Sequence, residues 1–238
     1  MTLSGLCKKE FLEVLVSSYN RIVFQEFDGC YLKGLENFED IAEKKLRKIA
    51  EEYYSSPKSV NQAWRSCKGK LYEFAVFNYI KSVVEENEFF RKHLSVEFGK
   101  NQVVIRNWTE IFPDLDIVIT EQKTKKVKAI LSCKTSLRER LTESAFWRRE
   151  FEKIGLDSIK VVLVTTDKDN ELKGEKNRYI LLHVIDCTFI TEPRKYQELI
   201  EVYRMRYGNR PDFEKLAQKV KPISDISNFL ETLLKEGR

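Results

Sequence analysis

Apolar and polar positions along the chain follow first one period and then another. Phe11, Val14, Leu15, Tyr19 and Val23 recur every three or four residues, the stripe of an amphipathic helix. After a break at Asp28-Gly29 and Gly34, residues from about Leu35 to Tyr54 predict a second, highly charged helix with Glu43 and Arg47 four apart. Pro57 ends it. Ser59 with Gln62 opens a long third helix to about Glu85, carrying Trp64, Cys67, Leu71, Phe74, Tyr79, Ile80 and Val83. Period two then takes over. Leu94 to Phe98 and Val103 to Arg106 read as short strands. Ile117 to Thr120 and Val127 to Cys133, joined by the charged hexapeptide Glu121 to Lys126, read as a β-hairpin. A helix from about Leu137 to Ile154 carries Ser144, Trp147, Phe151 and Ile154 at core spacing, with Gly155 as its C-cap. The run VVLVTT after Lys160 predicts a strand buried on both faces. A polar loop from Asp167 to Asn177, a long strand from Tyr179 to Ile190, and helices around Arg194 to Arg206 and Ile226 to Lys235 complete the pattern. Such an order predicts an α/β fold, a mixed central sheet flanked by helices, with a helical N-terminal part.

Composition narrows the function classes. A chain of 238 residues with 42% hydrophobic content can bury a real core as one domain. Charged residues make up 33% with mixed signs, and a net charge of +5 permits nucleic-acid binding only through a local basic surface. Five widely spaced cysteines (Cys7, Cys30, Cys67, Cys133, Cys187) form no CxxC pair, and His93 and His183 are the only histidines. Reduced thiols are expected, and a structural zinc site is not. The N-terminus lacks a signal-peptide pattern and no apolar stretch nears membrane-spanning length, so a soluble cytoplasmic protein with no membrane partner is expected.

Candidate chemistry gathers between Pro113 and Glu143, PDLDIVITEQKTKKVKAILSCKTSLRERLTE. Asp114 and Asp116 directly precede the first hairpin strand, and Lys134 ends the second, so the open end of the hairpin brings carboxylates near a cation. Phosphodiester hydrolysis uses these groups: carboxylates hold a divalent cation, and a lysine orients water and offsets developing charge. Ser136 and Glu139 have capping-box spacing, which predicts Arg138, Glu139 and Arg140 in the first turn of a helix beside the hairpin mouth. There, arginines can fork onto guanine and an acid can accept from cytosine N4. Glu73, a lone acid inside LYEFAVF on the third helix, is either solvated or held for a purpose. His183 within an apolar run reads as a core histidine. Pro211-Asp212 reads as a helix start.

The PD pair, the hairpin and SCK together resemble the PD-(D/E)xK nuclease signature. The string SCKTSLRER resembles the active-site and recognition segment of type II restriction endonucleases that cut CCGG and CCNGG sites. GKLYE around Glu73 is similar to the glutamate-bearing helix of those enzymes. The resemblance implies a restriction endonuclease-like fold, with residues 1–57 as a helical N-terminal part and 58–238 as a catalytic and DNA-recognition core. It implies Mg²⁺-dependent hydrolysis of double-stranded DNA at a short palindromic GC-containing site, giving a 5′-phosphate and a 3′-hydroxyl. A homodimer reading two half-sites follows from the palindrome. A cognate DNA methyltransferase belongs to the same restriction-modification system, with no direct complex implied.

In that frame Asp114, Asp116 and Glu143 are the expected metal ligands, with Lys134 and Glu73 as further catalytic candidates. Arg138, Glu139 and Arg140 are the expected base readers. The sequence leaves open which aspartate is the principal ligand. One departure matters: Ser132 stands where the signature has Asp or Glu. The positions from which some relatives supply the displaced acid are Phe146, Trp147 and Arg148, which cannot ligate metal as a carboxylate does. Glu143 is the candidate replacement and Glu150 the reserve, although several relatives carry glutamine at the place of Glu143. Two alternatives stand beside this reading, a structure-specific repair or junction-resolving nuclease and a non-catalytic DNA-binding module. Discrete cleavage bands, smearing, or a gel shift without cleavage would separate the three.

Overall fold

The computed structural model of the protein describes residues 7–54, 56–99, 105–107, 109–111, 115–137 and 140–235. It forms two compact units, Met1–Tyr79 and Ile80–Arg238.

The N-terminal unit is helical. Helix α1 (Lys9–Phe27) buries Phe11, Leu15, Tyr19 and Val23, four positions at i,i+4 spacing, while Val14 stays 45% exposed. The single charged helix expected from Leu35 to Tyr54 is instead α2 (Tyr31–Glu36), α3 (Phe38–Ile41), a π-helical stretch (Ala42–Leu46) and α4 (Arg47–Tyr53). The break falls at Asn37, whose side-chain Nδ2 donates to the Lys33 carbonyl (2.8 Å) in competition with the helical backbone pattern. Helix α5 (Pro57–Glu86) matches its expected span. Its Lys68 is 5% exposed, and Nζ donates to Glu39 Oε2 and Glu43 Oε1, both at 2.6 Å, so the buried charge is fully paired. The expectation of five reduced thiols is corrected here: Cys7 and Cys67, 60 residues apart in sequence, form a disulfide, and the free thiols are Cys30, Cys133 and Cys187. Sequence spacing carries no signal for a pair brought together only by tertiary packing.

The second unit is built on a six-stranded sheet. Its elements are α6 (Glu88–His93), β1 (Leu94–Phe98), a separate two-stranded ribbon β2 (Ile105–Asn107) and β3 (Thr109–Ile111), then β4 (Ile117–Glu121), β5 (Val127–Lys134), α7 (Arg140–Lys153), β6 (Lys160–Thr165), α8 (Glu175–His183), β7 (Cys187–Ile190), α9 (Pro193–Tyr207), α10 (Phe213–Lys219), β8 (Val220–Pro222) and α11 (Ile226–Lys235). The sheet order is β1-β4-β5-β6-β7-β8. β1, β4 and β5 pair antiparallel, and β5 to β8 pair parallel. The sheet is therefore mixed and carries helices on both faces, as expected. Val118, Ile130, Val161, Leu163 and Val220 pack with residues of α7 to α10 on one face. On the other, Phe189 meets Phe229 of α11 edge to face at 5.8 Å. β6 is buried on both faces, and truncating Leu163 to Ala would cost about 2–5 kcal/mol.

Two expectations in this unit are corrected. The polar loop from Asp167 ends early in a 3₁₀ turn (Glu171–Lys173), and the long strand from Tyr179 to Ile190 is α8 followed by the short strand β7. A compact apolar run does not distinguish a buried helix from a strand. Here the parallel pairing of β6 with β7 requires a crossover, and α8 supplies it. His183 thus lies exposed at the end of α8, its ring 4.5 Å from that of Tyr179, rather than in a core strand. Gly155, at φ 75°, closes α7: the Leu156 N–H donates to the Phe151 carbonyl and the Gly155 N–H to that of Glu152, a Schellman pair. Strand β8 has no precursor in the sequence reading. No described helix is long and apolar enough to cross a membrane.

Candidate active site

The antiparallel β4/β5 pair reverses at Glu121–Lys126, where the Glu121 N–H donates to the Lys126 carbonyl and Lys125 takes a left-handed φ of 58°. Ile117 pairs with Leu131 and Val118 with Ile130, which brings the start of β4 beside the end of β5. Asp116 stands immediately before β4 and is clamped from both sides: its N–H donates to the Leu131 carbonyl (3.2 Å), and its carbonyl accepts from the Gly99 N–H (2.9 Å). Gly99 is required by close approach, because a Cβ there would lie 2.6 Å from the Leu115 carbonyl oxygen and 2.8 Å from its Cβ.

So held, the Asp116 carboxylate is 8% exposed at the residue level, and Oδ2 accepts two hydrogen bonds, from the Cys133 N–H (2.6 Å) and from Lys134 Nζ (2.8 Å). The donors are consecutive residues at the end of β5, and Lys134 is in register with Thr165 of β6. A desolvated carboxylate and ammonium in contact form a strong charge-assisted pair. It sits at the carboxyl ends of the parallel strands, the edge at which open α/β sheets bind ligands. Lys134 also lines a small cleft with Ser132, Glu143, Ser144, Trp147 and Leu115.

Of the expected site residues, Asp116 and Lys134 are in contact, and Glu143 reaches the cleft that Lys134 lines. Asp114, Arg138 and Glu139 lie outside the described residues. Glu73 is half-buried on α5, in the N-terminal unit. Arg140 is the first residue of α7, and its Nη1 donates to Glu143 Oε2 at 3.0 Å. The reserve acid Glu150 accepts from Lys153 (3.2 Å). Among the positions some relatives use, Phe146 is 53% exposed and Arg148 pairs with Asp186 (3.1 Å).

The capping box expected at Ser136 lies only partly within the described residues, since Glu139 is outside them. Leu137 is not helical, the described helix begins at Arg140, and the Ser136 hydroxyl donates to Asp169 Oδ2 (2.6 Å). A long-range acceptor on the β6–α8 loop thus takes the hydroxyl hydrogen, a partner that local spacing does not show. Sequence reasoning also placed Trp147 only in the core. It lines the cleft, and its buried Nε1 has no hydrogen-bond partner.

A family model described as "BsaWI restriction endonuclease type 2" matches residues 92–224, more than half of the chain and all of the β4/β5 hairpin and α7. The chain belongs to this family of type II restriction endonucleases. As such it is a site-specific deoxyribonuclease. Among curated relatives, "Putative type II restriction enzyme MjaVIP" of Methanocaldococcus jannaschii is 29% identical over 190 residues, 66% of this chain and 84% of that protein. "Probable type II restriction enzyme HpyAORF263P" of Helicobacter pylori is 33% identical over 93 residues, 39% of this chain and 44% of that protein. The fold is shared with the solved complex of restriction endonuclease PspGI with substrate DNA, at a TM-score of 0.64 and 17% identity over 94% of this chain and 93% of that one.

Proposed function

We propose that this restriction endonuclease hydrolyses double-stranded DNA at a short palindromic GC-containing site in a Mg²⁺-dependent reaction, as a homodimer in which each subunit reads one half-site. The observation that carries the chemistry is the convergence of Lys134 Nζ and the Cys133 N–H on Asp116 Oδ2 at the mouth of the hairpin, beside the start of α7. In this reading Asp116 is the principal metal ligand, Asp114 its neighbour in sequence, and Glu143 the acid that replaces the one missing at Ser132.

The donor chemistry suits a hard divalent cation, since the candidate ligands are carboxylate oxygens. Among the described residues no three His, Cys, Asp or Glu side chains cluster as a closed metal cage. Partial protein ligation completed by water and phosphate oxygens is the habit of Mg²⁺. Bound there, Mg²⁺ would polarise the scissile phosphate and lower the pKa of a bound water. Lys134 orients the attacking water and stabilises charge developing on the phosphate oxygens. Asp116 fixes the ammonium in place through their shared hydrogen bond. Arg138, Glu139 and Arg140 then read G·C pairs from the entrance to α7. Glu73 is a further acid for the same chemistry on sequence grounds alone.

The test is incubation of unmethylated plasmid with and without Mg²⁺. Discrete bands with Mg²⁺, and intact plasmid with a chelator, are expected. Smearing, or a mobility shift with no cleavage in either condition, would overturn the reading.

A further inference from the structure

We propose that the β6–α8 loop is the platform that sets the recognition segment against the active site, and that Asp169 is its positioning residue, acting on that segment through Ser136. The inference rests on the reading that the start of α7 reads bases.

Between Lys134, which ends β5, and Arg140, which begins α7, the described residues belong to no strand or helix, and the local backbone bond among them is a single turn from the Arg140 N–H to the Leu137 carbonyl (2.6 Å). A segment so placed needs external fixation, because a displacement of about 1 Å is enough to spoil a reactive or reading geometry. Fixation of its first two residues comes from the β6–α8 loop. The Thr135 carbonyl accepts twice, from Thr166 Oγ1 (2.9 Å) and from the Lys168 N–H (3.3 Å). The next residue, Ser136, donates its hydroxyl to Asp169 Oδ2 (2.6 Å). Three bonds across 31 to 33 residues of sequence therefore land on two consecutive residues. Leu137, 1% exposed, pins the following residue into the core from the apolar side.

The platform is itself rigid, so it can transmit a position rather than follow one. The Thr191 N–H donates to the Thr165 carbonyl, fastening the loop's origin to the end of β7. Asp167, 2% exposed with φ 48°, donates its N–H to Thr165 Oγ1 (2.9 Å), while its carboxylate accepts from the Leu172 N–H (3.3 Å). The Asn170 N–H donates to the Asp167 carbonyl, and Lys195 of α9 donates to Asn170 Oδ1 (3.0 Å). Asp169 stands inside this braced turn with its side chain exposed except for the bond to Ser136. Its chemistry is therefore positional. Its described hydrogen bond goes to the segment that leads into α7, not to Asp116, Lys134 or Glu143.

The experiment compares cut-site profiles. Purified full-length wild type, Asp169→Ala, Asp169→Asn, Ser136→Ala, the Asp169→Ala/Ser136→Ala double variant and Arg140→Ala each digest the same unmethylated phage DNA with Mg²⁺ to the same extent, and all ends are sequenced. Loss of either partner should raise the fraction of ends one base away from the wild-type consensus by roughly ten-fold, the worth of a hydrogen bond to a charged group. The double variant should be no worse than either single one, since both remove the same bond. Asp169→Asn, whose amide oxygen still accepts from the hydroxyl, should restore the wild-type profile. A melting curve accompanies each variant, and Ser136→Ala carries the test if Asp169→Ala does not fold. An unchanged profile in Asp169→Ala and Ser136→Ala, with a relaxed profile in Arg140→Ala, would overturn this proposal alone. An unchanged profile in all three would overturn it together with the base-reading role of the α7 entrance.

Discussion

Lys134 Nζ lies 2.8 Å from Asp116 Oδ2, across the mouth of a hairpin that separates the two residues by 18 positions in sequence. Their side chains are only 15% and 6% exposed, so bulk water does little to satisfy either charge and each stabilises the other. Strand register, not loop flexibility, makes the contact.

That relationship predicts the phenotype of its two halves. Lys134→Ala should reduce cleavage by on the order of 10³-fold, the scale for removing a positioned charge-stabilising donor, while Ca²⁺-supported DNA binding persists in a gel-shift assay. Asp116→Asn should be equally inactive and Asp114→Asn only impaired. Substantial cutting by Lys134→Ala, or full activity of both aspartate variants, would place the chemistry elsewhere.

Glu143 is the acid expected to compensate for Ser132. It lines the cleft shared by Ser132 and Lys134, whereas Glu150 is engaged by Lys153. Glu143→Gln should therefore lose at least about ten-fold more kcat than Glu150→Gln at saturating Mg²⁺, since even groups that only orient metal ligands are worth that much. Equal, near-native rates for both would shift the role to Glu73 or another acid. The Arg140–Glu143 contact adds a check: both side chains are about two-fifths exposed, so breaking that pair alone should change stability by less than about 1 kcal/mol.

The hairpin, α5, β1, β6 and α11 were legible because each carries a local signal: alternation, a stripe, an unbroken apolar run or a cap. The Asp116–Lys134 pair was legible for the same reason, since hairpin register alone carries it. What escaped depends on contacts far apart in sequence. α8 looks like strand until β6 and β7 are known to be parallel neighbours. β8 is three residues long and exists only as a partner of β7. The Ser136 hydroxyl donates to Asp169, 33 residues away, a partner that local spacing does not show. The Cys7–Cys67 disulfide and the three-way clasp of Lys68 share this character.

Lys68 gives a stability prediction in the N-terminal unit. Burial alone would lower its pKa, but the Glu39 and Glu43 carboxylates outweigh that and raise it. A raised lysine contributes stability that is fully present below its ordinary range near 10.5 and is lost only as pH climbs through the higher folded value. Lys68→Ala should thus cost roughly 1–3 kcal/mol throughout the neutral range, because Glu39 and Glu43 are left facing each other but are partly solvated. Lys68→Met, which keeps the packing, should cost no more than the alanine variant. Urea denaturation at pH 7 reads both. A negligible loss in Lys68→Ala would show that the clasp contributes no net stability.

Asp167 gives a pH signature with the opposite sign from an ordinary salt-bridged aspartate. Burial pushes its pKa up to about 6, against the lowering effect of the Leu172 and Glu171 N–H groups and of Lys195 and Lys173. The folded state therefore holds this proton more tightly than the unfolded chain, whose ordinary value is 3.8. Between those two values the native state binds more protons, so stability falls as pH rises from about 4 to about 6, and the full cost of ionisation, on the order of 3 kcal/mol, is present above that. Asp167→Asn removes the charge, keeps an acceptor for the Leu172 N–H, and suits the left-handed backbone at φ 48°. The variant should be more stable than wild type at pH 7 to 8, and its advantage should shrink towards zero as pH approaches 4. Melting temperatures of the two proteins across that range measure the difference directly, with groups titrating alike in both cancelling. An advantage that is independent of pH, or that grows on acidification, would mean that Asp167 is ionised at little cost in the fold, and that the hydrogen bonds and lysines around it outweigh its burial.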